Sequence, residues 1–138
     1  MCMGCKVLMH ARTASYARAH GIGFAADGAS GATGEMVEQM LVSLSLLRYF
    51  YQDQGIEYLL PVYEQAREDS IRQLNELGFH MGTRILDRHI GIQPRCIRGE
   101  VYYLPYLLFN KPPAHDEQTI ARFIGAKLDA ARAIDWEA

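Results

Sequence analysis

Four stretches of the chain repeat apolar residues at the three- and four-residue spacing of an amphipathic helix. They cover residues 6–20, 35–54, 67–77 and 116–136. Glycine follows the first three stretches at Gly21, Gly55 and Gly78, and a glycine placed directly after a periodic apolar segment is a common signal for the end of a helix. The pattern therefore predicts four helices, the first of which begins just after Cys5.

Short apolar segments at 22–26 and 56–62 lie between these helices and are typical of β-strands. We expect the first strand to be buried and to end in the loop 27–34, where glycines and other small residues allow tight turns. Pro61 marks the end, or an edge, of the second strand. Helices that alternate with strands predict an α/β fold, a small layered unit with a short, mostly parallel sheet and three or more long helices.

The composition is that of a single domain. Of the 138 residues, 49% are hydrophobic, which is sufficient to form one core. The net charge of −2 gives too little positive charge for a broad nucleic-acid surface. No linker or repeat divides residues 1–138, and the apolar segment VYYLPYLLF precedes the last helix. The sequence has no run of 18 apolar residues and no apolar leader segment, so we expect a cytoplasmic protein that does not enter a membrane.

The chain has three cysteines, of which Cys2 and Cys5 stand three positions apart and Cys96 follows much later. Three thiols are too few for a disulfide framework, which leaves metal ligands, reactive thiols or reduced side chains in the core. Cys5 adjoins Lys6 and precedes the first predicted helix, a setting that favours the thiolate. The competing interpretation is that the pair is chemically idle and Cys96 is a buried apolar side chain.

A candidate binding residue, Asp27, follows the first predicted strand and is itself followed by Gly28. Ligands bind at the carboxyl ends of the strands in open α/β sheets. Asp27 is therefore a candidate to orient a substrate hydroxyl or a magnesium ion, and Gly28 to allow close approach of backbone. An ordinary turn with an aspartate cap is the competing interpretation.

Four arginines surround Cys96 in the segment RILDRHIGIQPRCIR: Arg84, Arg88, Arg95 and Arg98. Guanidinium groups bind phosphate oxygens in pairs, so these side chains suit an anionic ligand such as phosphate or an RNA backbone. A solvated basic face is the alternative.

The order of these segments resembles the PP-loop ATP pyrophosphatases, a family that adenylates and then thiolates or amidates its substrates and includes tRNA thiolation enzymes. The likeness covers residues 2–99 and is carried by CMGCK before a helix, by ARAHGIGFAADGAS, by IEYLLPVYEQAREDSIRQLNELGF and by QPRCIRGE. The family's nucleotide loop, Ser-Gly-Gly-x-Asp-Ser, belongs N-terminal to this region and does not occur in the sequence. The resemblance therefore implies half of a PP-loop (adenine nucleotide alpha hydrolase-like) domain, one that does not bind ATP alone.

The resemblance also implies roles for the three cysteines. Some members of the family hold an iron–sulfur cluster with a Cys-x-x-Cys pair and one distant cysteine, which makes Cys2, Cys5 and Cys96 candidate ligands of a [4Fe–4S] cluster with one open iron. Other members use two distant cysteines, one that carries a persulfide and one that resolves it, and these catalytic roles fall to Cys5 and Cys96. Zinc, with His10 or His20 as a further ligand, is a weaker alternative.

Both versions predict a sulfur-transfer protein, with RNA or another anionic molecule as the candidate substrate. The competing prediction is a non-catalytic interaction or scaffold domain, which the missing nucleotide loop favours, so the sequence leaves enzymatic activity open. A half-domain also exposes sheet edges and apolar faces. We therefore expect either a homodimer, through residues 37–51 or 101–109, or a partner chain that supplies the nucleotide-binding half.

Overall fold

The computed structural model describes residues 2–34, 36–79, 101, 104, 108–109, 116–134 and 136. In this part of the chain the order of elements is α1 (Cys2–Ala19), β1 (Phe24–Ala26), a 3₁₀ turn (Gly31–Thr33), α2 (Leu41–Gln52), β2 (Glu57–Leu59), α3 (Arg67–Glu76) and α4 (Glu117–Arg132). The four described positions between 101 and 109 are also helical. The prediction of a mixed α/β fold with a short parallel sheet is confirmed at this level.

Helix α1 begins earlier than predicted and contains both Cys2 and Cys5. The reason is that the row of buried apolar side chains on α1 continues toward the N-terminus beyond Cys5. Met3 is 1% exposed and continues the line of Val7 and Ala11 by one more turn. The cysteine pair therefore lies in the first turns of a helix and not in a segment that precedes one.

Helix α2 begins later than predicted, at Leu41 instead of residue 35. Residues 36–40 form turns, and Met40 has an extended backbone with φ −63° and ψ 143°. Three side chains donate hydrogen bonds to backbone carbonyl oxygens in this segment: Ser43 to Val37, Lys6 to Glu38 and Tyr63 to Gln39. These longer-range contacts replace the hydrogen bonds that another helical turn would have made.

The three helix ends that were predicted from a following glycine are confirmed. Gly21, Gly55 and Gly78 have φ values of 64°, 73° and 86°, in the left-handed region that glycine adopts without strain. At the other end of α4, the Asp116 side chain accepts a hydrogen bond of 2.9 Å from the backbone N–H of Thr119. This is a normal N-cap, and it fixes the start of α4 close to the predicted position.

Strands β1 and β2 pair in parallel, with Phe24 opposite Glu57, Ala25 opposite Tyr58 and Ala26 opposite Leu59. Ala25 and Tyr58 face the core, whereas Phe24 on the opposite face is 62% exposed. The expectation of a buried first strand is therefore wrong for one of its two faces. Parallel sheets are normally covered on both faces, so this face is atypical.

The core lies between α1, α2, α4 and the inner face of the sheet. Its buried members in the described residues are Met3, Val7, Ala11, Ala14, Ala17, Leu47, Phe50, Tyr51, Ile56, Tyr58, Ile120, Ile124, Leu128 and Ala131. Small alanines on α1 allow close approach of the neighbouring helices. None of the helices in the described part of the chain has the length and apolar character needed to cross a bilayer.

The two segments proposed for a dimer interface differ in their exposure. Most of the apolar face of α2, including Leu47 and Phe50, is buried in the chain's own core. The described apolar side chains of the second segment, Val101, Leu104, Leu108 and Phe109, are exposed. Among the described residues, the second segment thus exposes four large apolar side chains, whereas α2 exposes Leu41 and Tyr49.

Candidate functional site

Asp27 lies directly after β1 and continues the ladder, because its backbone N–H donates to the carbonyl oxygen of Leu59 at 3.0 Å. Its carboxylate oxygen Oδ2 is approached by three side chains. Lys6 Nζ lies at 2.7 Å, and the Tyr58 hydroxyl donates a hydrogen bond of 2.6 Å. His10 Nε2 lies at 3.3 Å. The predicted site residue Asp27 is thus the centre of a polar cluster at the carboxyl end of the sheet.

We call the side chains of Lys6, His10, Asp27, Tyr51 and Tyr58 the Asp27 cluster. Lys6 and His10 are four positions apart on α1 and therefore lie on one face of the helix. The rings of Tyr51, from α2, and Tyr58, from β2, stack with centroids 5.2 Å apart. The His10 ring meets both tyrosine rings edge-on, at 5.7 Å in each case. The cluster thus joins three elements and the loop after β1.

Lys6 makes a second contact that ties α1 to the segment before α2. Its ammonium group donates a hydrogen bond of 2.8 Å to the backbone carbonyl oxygen of Glu38. The side chains of Lys6 and Asp27 are only 11% and 14% exposed, so their ion pair is shielded from most of the solvent. Such shielding makes the loss of one partner costly.

The partners of Asp27 keep it ionised. Burial favours the neutral acid, but hydrogen bonds with His10, Lys6 and Tyr58 outweigh burial and hold the pKa of Asp27 well below its ordinary value. Burial raises the pKa of Tyr58, and the hydrogen bond that it donates to Asp27 adds to this effect. Burial also raises the pKa of Tyr51 to about 12, against a smaller opposing effect of Thr13. At neutral pH both tyrosines are therefore neutral donors.

Gly28, the second candidate in this loop, is exposed, and no atom lies within 4 Å of the position that a Cβ would occupy. The predicted close approach of backbone is found instead at Gly31. A Cβ at that position would lie 2.8 Å from the carbonyl oxygen of Tyr63, which also accepts the Gly31 N–H at 2.8 Å. The loop thus needs glycine at a different position from the predicted one.

Of the three cysteines, Cys5 is exposed on α1, and Cys2 lies three residues earlier on the same helix. Cys96 and the four arginines Arg84, Arg88, Arg95 and Arg98 lie outside the described residues. The expectation that Lys6 assists the Cys5 thiolate is not met by the contacts seen, because the ammonium group binds Asp27 and the carbonyl of Glu38.

No group of three or more histidine, cysteine, aspartate or glutamate side chains is arranged for a metal ion in the described part of the chain. Both ring nitrogens of His10 already have partners, at Tyr51 and Asp27. His20 Nδ1 lies 2.9 Å from the carbonyl oxygen of Tyr16. Of the three proposed ligands of an iron–sulfur cluster, only Cys2 and Cys5 belong to the described residues. The described geometry therefore assigns no chemical step to such an iron–sulfur cluster.

Sequence reasoning missed the partners of Asp27. The four-residue spacing of Lys6 and His10 was a signal that both face one neighbour, but it did not identify that neighbour. Tyr58 lies in an apolar strand of the sequence, where a tyrosine is normally interpreted as a core residue.

Tyr58 also lines an open crevice of about 770 Å³ between α2 and β2, together with Arg48, Gln52, Glu57 and Tyr63.

Comparison with known proteins adds no relative to this description: no protein-family model, no curated protein and no solved structure matches the chain. The functional proposal therefore rests on the residues and their geometry, together with the resemblance of the sequence motifs to the PP-loop family.

Proposed function

We propose that this chain carries the cysteine-bearing part of a sulfur-transfer site of the PP-loop type. The supporting observation is the ion pair of 2.7 Å between Lys6 and Asp27. It holds the first turns of α1, which bear Cys5, beside the loop at the carboxyl end of β1. That end of an open α/β sheet is where ligands bind.

Cys5 is the sulfur-carrying residue in this proposal. Its thiol is exposed, so a sulfur donor and an acceptor can both reach it. A thiolate is the nucleophile in sulfur transfer, and a persulfide on Cys5 would be resolved by a second thiol, for which Cys96 is the candidate. In the alternative form of the same proposal, Cys2, Cys5 and Cys96 bind a [4Fe–4S] cluster, which would supply an open iron for a sulfide.

Activation of a substrate by ATP would require a nucleotide loop from another segment or another chain, because the 138 residues contain no Ser-Gly-Gly-x-Asp-Ser motif. The outer face of the β1–β2 sheet supports completion by further protein, since Phe24 is exposed on a parallel sheet. The arginines around Cys96 make an anionic substrate, such as RNA, the preferred class.

A non-catalytic interaction domain is the second candidate, and one observation favours it. In the described residues, every buried side-chain nitrogen and oxygen has a hydrogen-bond partner. The Asp27 cluster therefore needs no ligand to satisfy its polar groups, as expected of a cluster that only stabilises the fold.

Anaerobic purification separates the two candidates. The protein is first analysed as purified for absorbance near ~400 nm, iron, acid-labile sulfide and zinc. A second sample is incubated with inorganic polysulfide, whose S–S bond the Cys5 thiolate would attack, so that Cys5 gains one sulfur atom and the shortened polysulfide leaves. Alkylation followed by mass spectrometry then detects a thiol that has gained one sulfur atom. Variants Cys2→Ser, Cys5→Ser and Cys96→Ser are compared with Ser15→Ala, a substitution on α1 away from the cysteines.

Sulfur transfer predicts a bound cluster that is lost in all three cysteine variants, or a persulfide that is lost in Cys5→Ser and accumulates in Cys96→Ser. Ser15→Ala should behave like the wild type in both assays. A protein that retains no iron and gains no sulfur under these conditions contradicts the proposal and favours the interaction domain.

A further inference from the structure

An open cleft of about 410 Å³ lies where three helices end. Its lining includes Arg18 from the last turn of α1, Phe50 from the last turn of α2 and Arg132 from the last turn of α4. Cys5 and Arg18 lie in the first and last turns of α1, about 20 Å apart along the helix axis. The cleft is therefore separate from Cys5.

The apolar wall of the cleft is formed by the segment that follows α4, where Ile134 and Trp136 line it. The Trp136 indole N–H donates a hydrogen bond of 3.0 Å to the carbonyl oxygen of Ala131. Arg12 donates to the carbonyl oxygen of Trp136, and its guanidinium lies 6.0 Å from the centroid of the Trp136 ring. The wall is thus held against both α1 and α4.

The charges of Arg132 and Asp53, which both line the cleft, are satisfied within the chain. Arg132 donates to the carboxylates of Asp53 and Asp129, at 2.6 Å in each case, and lies 5.3 Å from the centroid of the Phe50 ring. Helix C-termini favour cations, and Arg132 supplies a cation at this place. A cationic ligand would therefore compete with a group of the chain itself.

Arg18 differs from Arg132, because its guanidinium has no hydrogen-bond or ion-pair partner in the part of the chain that the structure describes. A guanidinium presents five N–H donors in a planar fork that matches the two oxygens of a carboxylate. One guanidinium also balances the single charge of a carboxylate, whereas a phosphate monoester would keep part of its charge unpaired. Arg18 thus offers a place for a carboxylate beside apolar surface.

We propose that this cleft binds a small carboxylate with an apolar body. The carboxylate pairs with the Arg18 guanidinium, and the apolar body contacts Ile134 and Trp136. The volume of about 410 Å³ lies in the range of small-molecule pockets, ~300–1,000 Å³, which combine apolar walls with a few polar groups. This binding site goes beyond the proposed sulfur transfer and does not depend on it.

Proton–nitrogen NMR of the nitrogen-15-labelled protein tests the proposal, with phenylacetate as the probe. Trp136 is the only tryptophan in the sequence, so its indole N–H signal is identified without a variant. Phenylacetate should shift this signal saturably, with a dissociation constant of about 1 mM, as is usual for a ligand of this size. Phenylacetamide has the same shape without the charge, and acetate lacks the ring. Each should bind roughly tenfold more weakly or worse.

Variant Arg18→Met should weaken phenylacetate binding by roughly tenfold or more, because it removes a charge-assisted pair. The matched control is Arg122→Met near the start of α4, where the guanidinium contacts the Thr119 hydroxyl. This control should bind phenylacetate like the wild type. If Arg18→Met does not fold, the three probes still test the proposal on the wild type.

Three results overturn the proposal. The first is the absence of a saturable shift with phenylacetate up to ~10 mM. The second is binding of phenylacetamide or acetate as tight as that of phenylacetate, which would remove the charge or the apolar body from the recognition. The third is a folded Arg18→Met variant that binds phenylacetate with the affinity of the wild type.

Discussion

Replacement of Asp27 by asparagine should destabilise the fold through the ammonium group that it leaves behind. The asparagine keeps the size of the side chain and one oxygen that accepts from Tyr58, so the change removes mainly the negative charge. Lys6 remains 11% exposed without an ionised partner at Oδ2, and its other contact is the neutral carbonyl of Glu38. A shielded cation without a counter-ion is strongly unfavourable.

The magnitude follows from the burial of the pair. Removal of one partner from a fully buried ion pair costs about 3–5 kcal/mol, whereas an exposed pair contributes about 0–1 kcal/mol. The 11% and 14% exposure of Lys6 and Asp27 places this pair near the buried limit. With the Tyr58 hydrogen bond retained by asparagine, we expect a loss of about 2–3 kcal/mol in the free energy of unfolding at pH 7.

Urea denaturation followed by circular dichroism measures this loss. The matched control is Asp69→Asn, which breaks the ion pair with Arg72 on α3, where the two side chains are 44% and 66% exposed. This control should lose less than about 1 kcal/mol. The double variant Lys6→Met with Asp27→Asn removes the stranded cation and should be destabilised by less than the sum of the two single variants.

The reasoning is refuted if Asp27→Asn and Asp69→Asn lower the free energy of unfolding by the same small amount. It is also refuted if the Lys6 and Asp27 substitutions are additive, because additivity would mean that the two side chains do not interact. A change in the slope of the free energy of unfolding against urea concentration would indicate a different denatured state, so the slopes of the variants must first be shown to be equal.

Three further predictions concern acid, the loop and assembly. The fold holds the pKa of Asp27 below its ordinary value of 3.8. The ionised Asp27 therefore stabilises the fold above pH 3.8, and this contribution is lost as the pH falls below 3.8. Acid titration should consequently destabilise the wild type more than Asp27→Asn. A smaller pH dependence in the wild type would contradict this. Gly31→Ala should lower the free energy of unfolding by about 1–3 kcal/mol because its Cβ meets the Tyr63 carbonyl at 2.8 Å, whereas Gly28→Ala, with open space around it, should stay within about 0.5 kcal/mol in the same urea assay. Light scattering should show a homodimer at micromolar concentration, and a stable monodisperse monomer would reject that assembly.

The sequence was most informative where a local signal determines the backbone. Gly21, Gly55 and Gly78 end their helices because glycine adopts positive φ at low cost, a property that does not depend on the rest of the fold. The N-cap at Asp116 is equally local. These positions were therefore predictable from the sequence alone.

The helix starts were less predictable because tertiary contacts decide them. Lys6 and Tyr63 bind the carbonyl oxygens of Glu38 and Gln39, which keeps α2 from beginning before Leu41. These donors are 32 and 24 positions away from their acceptors. No helical periodicity within the segment itself encodes such competition.

The same limit applies to the candidate site. Asp27 could be proposed because it follows an apolar strand, and the position of a residue after a strand is a local property. Its partner Tyr58 is 31 positions away, and the contact between His10 and Tyr51 spans 41 positions. Only the packing of α1 and α2 against the sheet brings these side chains together, so the sequence alone could not identify the cluster.

The most direct measurement for the proposed three-cysteine centre is a thiol-to-thiol cross-link in the native protein. A short bifunctional thiol reagent is added under reducing, anaerobic conditions, and the linked peptides are identified by mass spectrometry. Convergence of the cysteines, which both the cluster and the persulfide versions require, predicts a link within one chain between Cys96 and Cys5 or Cys2, and its absence from Cys96→Ser. A protein in which Cys5 reacts readily but links only to Cys2, with Cys96 reacting separately, would contradict the proposed site.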